Sequence, residues 1–312
     1  MNPDEGILDP WVEQFMKDYP GMFPKMNFSP EWLAVARPDN PVFPGKPVAK
    51  FRKDTITAEA GHDIPVWIYE HETAPTGLVV YFHGGGYCTG SPGLMDNVAR
   101  EIAVASGAAV ISVGYRLAPE HPFPAGFDDC VTVTRWALAH AAPFGTTPDQ
   151  VAVAGESAGG NLSAAVALRM RGEPGPRLAA QLLIYPALDI PGADYPSRQQ
   201  FSVGVALDDY SKMVEVYGGG RDITSEVYAF PMLADSLVGL PPALVVLGGC
   251  DLLRDEGRAY GQRLAADGVP TEEYCAPGQP HPWINMGFPA AEAAWAAIGP
   301  WLKARFAERP AA

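Results

Sequence analysis

The sequence predicts an α/β fold built on a mainly parallel sheet. Three observations carry this. From about residue 77 onward, short strand-like runs alternate with helix-like ones. The strand-like runs are almost continuously apolar, as strands buried on both faces are. The turn G-E-S-A-G-G at 155–160 joins one of these runs directly to a helical stretch, the connection that strand–helix alternation requires.

The elements follow in order. Residues 50–56 and 64–70 alternate in polarity around Gly61-His62-Asp63, which predicts an antiparallel hairpin at the start of the sheet. Apolar runs at 78–82, 109–113, 151–154, 182–185 and 243–247 predict buried strands, and 271–275 reads as a last one. Helical patterns cover 94–106, 127–141, 158–171, 255–267 and 290–307, and Gly107, Gly172 and Gly268 stand where helices should stop. Two regions break the alternation. Residues 1–45 are rich in proline and aromatics, and 188–235 carries Gly218-Gly219-Gly220 with a short helical candidate at 207–217. Both are expected to form a lid over the strand C-termini, where open α/β sheets bind ligands. Simple packing on the core is the alternative for 1–45. The expected division is a cap, 1–45 and 188–235, and a catalytic domain, 46–187 and 236–312.

Composition excludes several classes. The 312 residues are 47% apolar, enough for a full core, and carry a net charge of -14. An acidic surface repels nucleic acid and anionic membranes. No stretch approaches the roughly 20 apolar residues of a membrane span. The N-terminus has no basic region followed by an apolar one, so a secretory signal is not expected. Cys88, Cys130, Cys250 and Cys275 lack C-x-x-C spacing, which argues against a metal site and for reduced thiols. The expectation is a soluble cytoplasmic enzyme.

The chemistry centres on Ser157. A serine flanked as G-x-S-x-G after a strand and before a helix is a nucleophile elbow, found in α/β-hydrolases. Side chains at 155 or 159 would collide across so tight a turn. An elbow serine needs a base, an orienting acid and an oxyanion hole, and the chain order is serine, acid, histidine. Of six histidines only His281 lies downstream, in P-G-Q-P-H-P-W after the last strand-like run. Asp251 is the first acid off the run at 243–247. Asp255 is the rival, better placed to cap the helix that starts there, with Glu256 in its first turn. Ala158, after the nucleophile, supplies one oxyanion amide. H-G-G-G at 83–86, directly after a buried strand, supplies the others. His62, His71 and His140 fall on a turn, a strand end and a helix end, where structural roles are expected.

H-G-G-G at 83–86, Y-R-L-A-P-E-H-P-F-P-A at 115–125, G-E-S-A-G-G at 155–160 and D-L-L-R-D-E-G at 251–257 together resemble the hormone-sensitive lipase family, the bacterial family IV esterases. L-P-P-A-L at 240–244 adds to the resemblance, which covers roughly 45–305. It implies a capped α/β-hydrolase with a mostly parallel eight-stranded sheet flanked by helices. It implies Ser157 as nucleophile, His281 as general base and then acid, and Asp251 as orienting carboxylate. It places the oxyanion hole at Gly85, Gly86 and Ala158, with His83 fixing the loop and Glu120 and His121 bracing it. It implies a serine carboxylesterase acting on short- and medium-chain acyl esters without cofactor or metal, and a homodimer paired through the last strand. An amide or formamide hydrolase on the same scaffold is the first alternative. A non-catalytic small-molecule binder, like the gibberellin receptor, is the second.

Two positions depart from the family pattern. Glu156 stands where aspartate is commonest, a change expected to matter little. H-P-W at 281–283 replaces H-G-F. Pro282 pushes His281 toward extended dihedrals, and a cis bond at Gln279-Pro280 or His281-Pro282 is open. Trp283 is expected to narrow the space beside the base and so alter selectivity. Met22, Phe23, Phe28, Tyr87, Tyr185, Leu207 and Met213 are candidate pocket walls, with core packing the alternative for each.

Overall fold

Alternation at a period of two decides which helices lie on which face of the sheet. In the strand Leu78–Phe82 (β3), Leu78, Val80 and Phe82 face one core, while Val79 and Tyr81 face the other. The computed structural model describes residues 6–22, 26–41 and 43–308. Its sheet is completed by Lys50–Thr57 (β1), Asp63–Glu70 (β2), Ala109–Val113 (β4), Val151–Glu156 (β5), Ala180–Ile184 (β6), Ala243–Gly248 (β7) and Thr271–Ala276 (β8). The spatial order is β1-β2-β4-β3-β5-β6-β7-β8. β2 runs antiparallel to β1 and β4, and every other pairing is parallel.

The helices are Pro10–Asp18 (α1), Pro30–Ala36 (α2), Asp96–Ser106 (α3), Ala125–Ala139 (α4), Ala158–Arg171 (α5), Pro196–Gln200 (α6), Leu207–Gly218 (α7), Arg254–Ala266 (α8) and Ala290–Ala307 (α9). Helices α4, α5 and α8 cover the face of Val80, Phe82 and Val153, with Phe127, Leu162 and Tyr260 buried there. Helices α3 and α9 cover the face of Val79, Tyr81 and Ala154, with Ile102, Ile298 and Leu302 buried there. Residues buried on both sides explain why β3 to β7 read as unbroken apolar runs.

The expected hairpin forms, with Ile56 opposite Ile64. The expected helices shift by at most two residues. Helices α1 and α2 stand in a stretch where the sequence reading placed none. Each begins at a proline, Pro10 or Pro30, behind a capping side chain, Asp9 or Ser29, a start signal that outweighs their short length. Both lie near the C-terminal ends of the strands, as does α7.

Candidate active site

Strand β5 ends at Glu156, and α5 starts at Ala158. Ser157 between them has φ 57° and ψ -118°, a conformation rare for any residue with a Cβ. The turn is held by the backbone: the Ser157 N–H donates to the Ile184 carbonyl at 2.9 Å. A Cβ on Gly155 would strike the Gly159 carbonyl, and one on Gly159 would strike that of Phe82. The two glycines are therefore required by contact.

Three loops bring the predicted residues together. Asp251 follows β7 and His281 follows β8, so both hang from the same sheet edge as Ser157. His281 Nε2 lies 2.9 Å from Ser157 Oγ, and Nδ1 lies 2.8 Å from Asp251 Oδ2. One tautomer satisfies both: Nδ1–H donates to the carboxylate and Nε2 accepts from the hydroxyl. Asp251 Oδ1 accepts from the Leu253 N–H at 2.8 Å. Asp251 and His281 are buried, while Ser157 is only half-buried and can be reached.

Asp255, the rival acid, does not cap α8 as expected. It sits in the first turn, accepts from the Ser197 N–H at 2.8 Å and pairs with Arg254. Leu253 is the residue before the helix, and Asp251 bonds its N–H. Glu256 is in the first turn as expected, yet it is fully buried. It pairs with Arg198 and accepts from the Leu188 N–H at 2.6 Å.

The H-G-G-G loop passes beside Ser157. Gly85 and Gly86 have φ of 118° and 59°, and among the described residues the N–H groups of Gly85, Gly86 and Ala158 donate to no protein acceptor. His83 faces away from the site. Its Nδ1 lies 2.8 Å from the Gly84 carbonyl, and its ring stacks on Tyr115, whose hydroxyl donates to the His83 carbonyl at 2.7 Å. Burial pushes the His83 imidazole down to about 4, so it stays neutral. Glu120 takes a forked pair from Arg37, and Arg37 also donates to the carbonyls of Cys88 and Ala118 at 2.7 Å each. Arg37 thus ties the 115–125 segment to the glycine loop. Sequence reading missed it, because its partners are 51 or more positions away. The backbone N–H of His121 donates to the Leu117 carbonyl and closes a turn.

A cavity of about 320 Å³ opens over Ser157 and His281. Of the candidate wall residues, Met22 and Met213 line it, together with Met26, Trp32, Phe43, Met95 and Met286. Phe28, Tyr87, Tyr185 and Leu207 do not. Tyr185 packs edge-on against the His281 ring and Tyr87 stacks on Tyr217 of α7. Phe23 lies outside the described residues. Trp283 is a correction as well: it is fully buried against Gly248 and near Tyr185, and Pro282 reaches the cavity instead. A large apolar indole gains more under the loop than beside a solvated mouth. The His281-Pro282 bond is cis, and Gln279-Pro280 is not among the cis bonds.

A larger cavity, about 420 Å³, lies against the opposite ends of the strands, beside Asp149, Ala179, Pro242 and Pro270. It touches none of the site residues. Among the described residues no cluster of three or more His, Cys, Asp and Glu could hold a metal ion. The cysteines are free thiols. No helix among them is long and apolar enough to cross a membrane.

A serine on a strained strand-to-helix turn after β5, with a buried aspartate after β7 and a buried histidine after β8, defines a hydrolase. The chain belongs to the α/β-hydrolase family, whose model, described as alpha/beta hydrolase fold, matches residues 79–285. Within it, the chain is a carboxylic ester hydrolase of the hormone-sensitive lipase type. It is 39% identical over 254 residues to Carboxylesterase NlhH of Mycobacterium tuberculosis, covering 78% of this chain and 79% of the relative. It is 34% identical over 289 residues to Arylesterase of Saccharolobus solfataricus, covering 89% and 92%. The solved hyperthermophilic esterase from Pyrobaculum calidifontis superposes with a TM-score of 0.84 at 30% identity, over 96% of this chain and 98% of that one.

Proposed function

We propose that this esterase hydrolyses short- to medium-chain acyl esters through an acyl-enzyme on Ser157. The observation that carries the reading is His281 spanning Ser157 and Asp251 with one hydrogen bond to each. Ser157 Oγ attacks the ester carbonyl carbon, and its proton passes to His281 Nε2. The Gly85, Gly86 and Ala158 N–H groups donate to the carbonyl oxygen as it becomes negative. His281 then gives its proton to the leaving alcohol oxygen as the acyl C–O bond breaks. Water repeats the attack, with His281 again as base, and frees Ser157. Asp251 holds Nδ1–H and stabilises the imidazolium. No step calls for a metal or cofactor.

Residues 1–45 and 188–235 are proposed as the cap. Met22 and Trp32 from the first and Val205 and Met213 from the second meet over Ser157. A cavity near the lower end of the about 300–1,000 Å³ range of ligand pockets supports small acyl groups. Its walls are mostly apolar, which supports neutral esters. The free thiols support a reducing compartment such as the cytoplasm. Among the described residues β8 pairs only with β7, which supports an outer edge open to a second copy.

The test is hydrolysis of p-nitrophenyl esters across a series of acyl lengths by wild type and Ser157→Ala. The reading expects activity on the shorter chains that vanishes in the variant. Undiminished activity in Ser157→Ala would sink it.

A further inference from the structure

The glycine loop has little of its own to hold it. Three successive glycines carry no side chains, and glycine loses more freedom on ordering than any other residue. The loop's N–H groups must nevertheless be aimed within a fraction of an ångström. Its fixings are therefore informative. Thr89 holds the far side, bonding the Gly85 carbonyl through N–H and Oγ1 at 2.9 and 2.8 Å. His83 and Tyr115 hold the near side. One bond links the loop to the nucleophile's own strand: Glu156 Oε1 accepts from the Gly84 N–H at 2.6 Å. Glu156 is the residue before Ser157, is 1% exposed, and is the one acid among the described residues that line the cavity.

We propose that Glu156 is a positioning residue, whose Oε1 grips the Gly84 amide and thereby aims the Gly85 and Gly86 N–H groups at the substrate carbonyl on Ser157. This rests on the reading of Gly85, Gly86 and Ala158 as the oxyanion hole. Glu156 sets both partners of the transition state, since its backbone carries the nucleophile and its side chain carries the hole.

The buried setting of the side chain favours its neutral form. Burial pushes its carboxyl up to about 8, against the pull of hydrogen bonds from the Gly84 N–H and the Tyr81 hydroxyl. The groups near enough to feel its charge are the buried phenols of Tyr81, Tyr115 and Tyr185. A neutral acid sets no negative charge against the forming oxyanion. It also makes glutamine the close mimic, with a carbonyl oxygen for Gly84 and an amide in place of Oε2. Aspartate, the residue the family pattern favours here and expected from the sequence to serve equally, is the poor one on this backbone. It lacks one carbon–carbon bond, about 1.5 Å of reach, which would stretch a 2.6 Å bond out of range.

The experiment compares Glu156→Gln, Glu156→Asp and Glu156→Ala with wild type. Steady-state kcat and KM on a p-nitrophenyl ester are measured beside the affinity for a boronic acid that mimics the tetrahedral intermediate. A fluorophosphonate probe checks each protein for a reactive Ser157. The Asp and Ala variants are expected to lose about 10- to 100-fold in kcat with KM little changed, and to bind the boronate correspondingly less well. Glu156→Gln is expected to recover most of that loss. If Ala does not fold, the comparison of Asp with Gln carries the test. The proposal is overturned if Asp or Ala keeps wild-type kcat, or if Gln is as impaired as Asp while Ser157 still reacts with the probe. A wild-type enzyme whose Ser157 ignores the probe would overturn the underlying site reading instead.

Discussion

The floor of the site and its roof are built on opposite terms. On the floor, Ser157, Asp251 and His281 follow three strands paired side by side or nearly so, and backbone hydrogen bonds with close glycine contacts set their positions. In the roof, short helices carry the walls, and side chains reaching across the chain hold them down. Arg198 pairs with buried Glu256 of α8 and donates to the carbonyls of Ile190, Pro191, Ala193 and Asp189. Arg37 does the same for α2. The comparison teaches that the chemistry depends on local backbone geometry, whereas selectivity depends on a few long-range anchors. A mutation on the floor should therefore change rate, and one in the roof should change stability or substrate range.

The largest effect is expected on the floor. Asp251→Asn keeps the shape but offers His281 the wrong hydrogen-bond partner at Nδ1, and should lower kcat about ten-thousandfold with the fold intact. Stopped or steady-state ester assays with circular dichroism check it. A drop of only a few-fold would show that Asp251 does not orient the base.

The roof's anchor comes next. Arg198→Met leaves the Glu256 carboxyl buried without its cation and should cost about 3–5 kcal/mol of stability, read from urea unfolding. If the unfolding midpoint does not move, the ion pair is not what ties the 188–200 segment to α8.

A third prediction separates the two regions by pH. Burial lifts Glu156 from an ordinary 4.5 to about 8. The native state then favours the protonated form. Its contribution is full below about 4.5 and is lost as pH rises through about 8. Wild type should thus lose stability from weakly acidic to weakly alkaline pH, and Glu156→Gln should lose less. Parallel slopes for the two proteins would show that Glu156 titrates normally.

The smallest effect belongs to the wall. Met213 of α7 packs against Gly86 and lines the cavity. Met213→Ala should lengthen the preferred acyl chain while changing kcat on the shortest ester by no more than about threefold. An unchanged chain-length profile would mean that α7 does not border the acyl group.

How much of this the sequence discloses follows the same division. Strands β3 to β7 and the helices between them are legible because each is a continuous local pattern. Ser157, Asp251 and His281 are legible because each stands next to the end of a strand-like run, and the structure brings all three together. The walls are less so. Met22 and Met213 are found, but Tyr87, Tyr185, Phe28 and Leu207 look equally suitable until tertiary packing turns them elsewhere. Trp283 misleads for the same reason: its size says pocket wall, and its burial says core. Helices α1 and α2 did leave a signal, a capping residue followed by proline, obscured by the proline-rich surroundings. Arg37, the Arg198–Glu256 pair and the Glu156–Gly84 bond leave none, since each joins positions far apart in the chain.

The central claim is that the acyl group passes through Ser157. Rapid acid quench of the enzyme during turnover of a p-nitrophenyl ester, followed by peptide mass mapping, tests it most directly. The account predicts the acyl group on the peptide that contains Ser157, and no adduct or turnover in Ser157→Ala. Turnover with the acyl group on another residue, or with none trapped and Ser157→Ala still active, would contradict it.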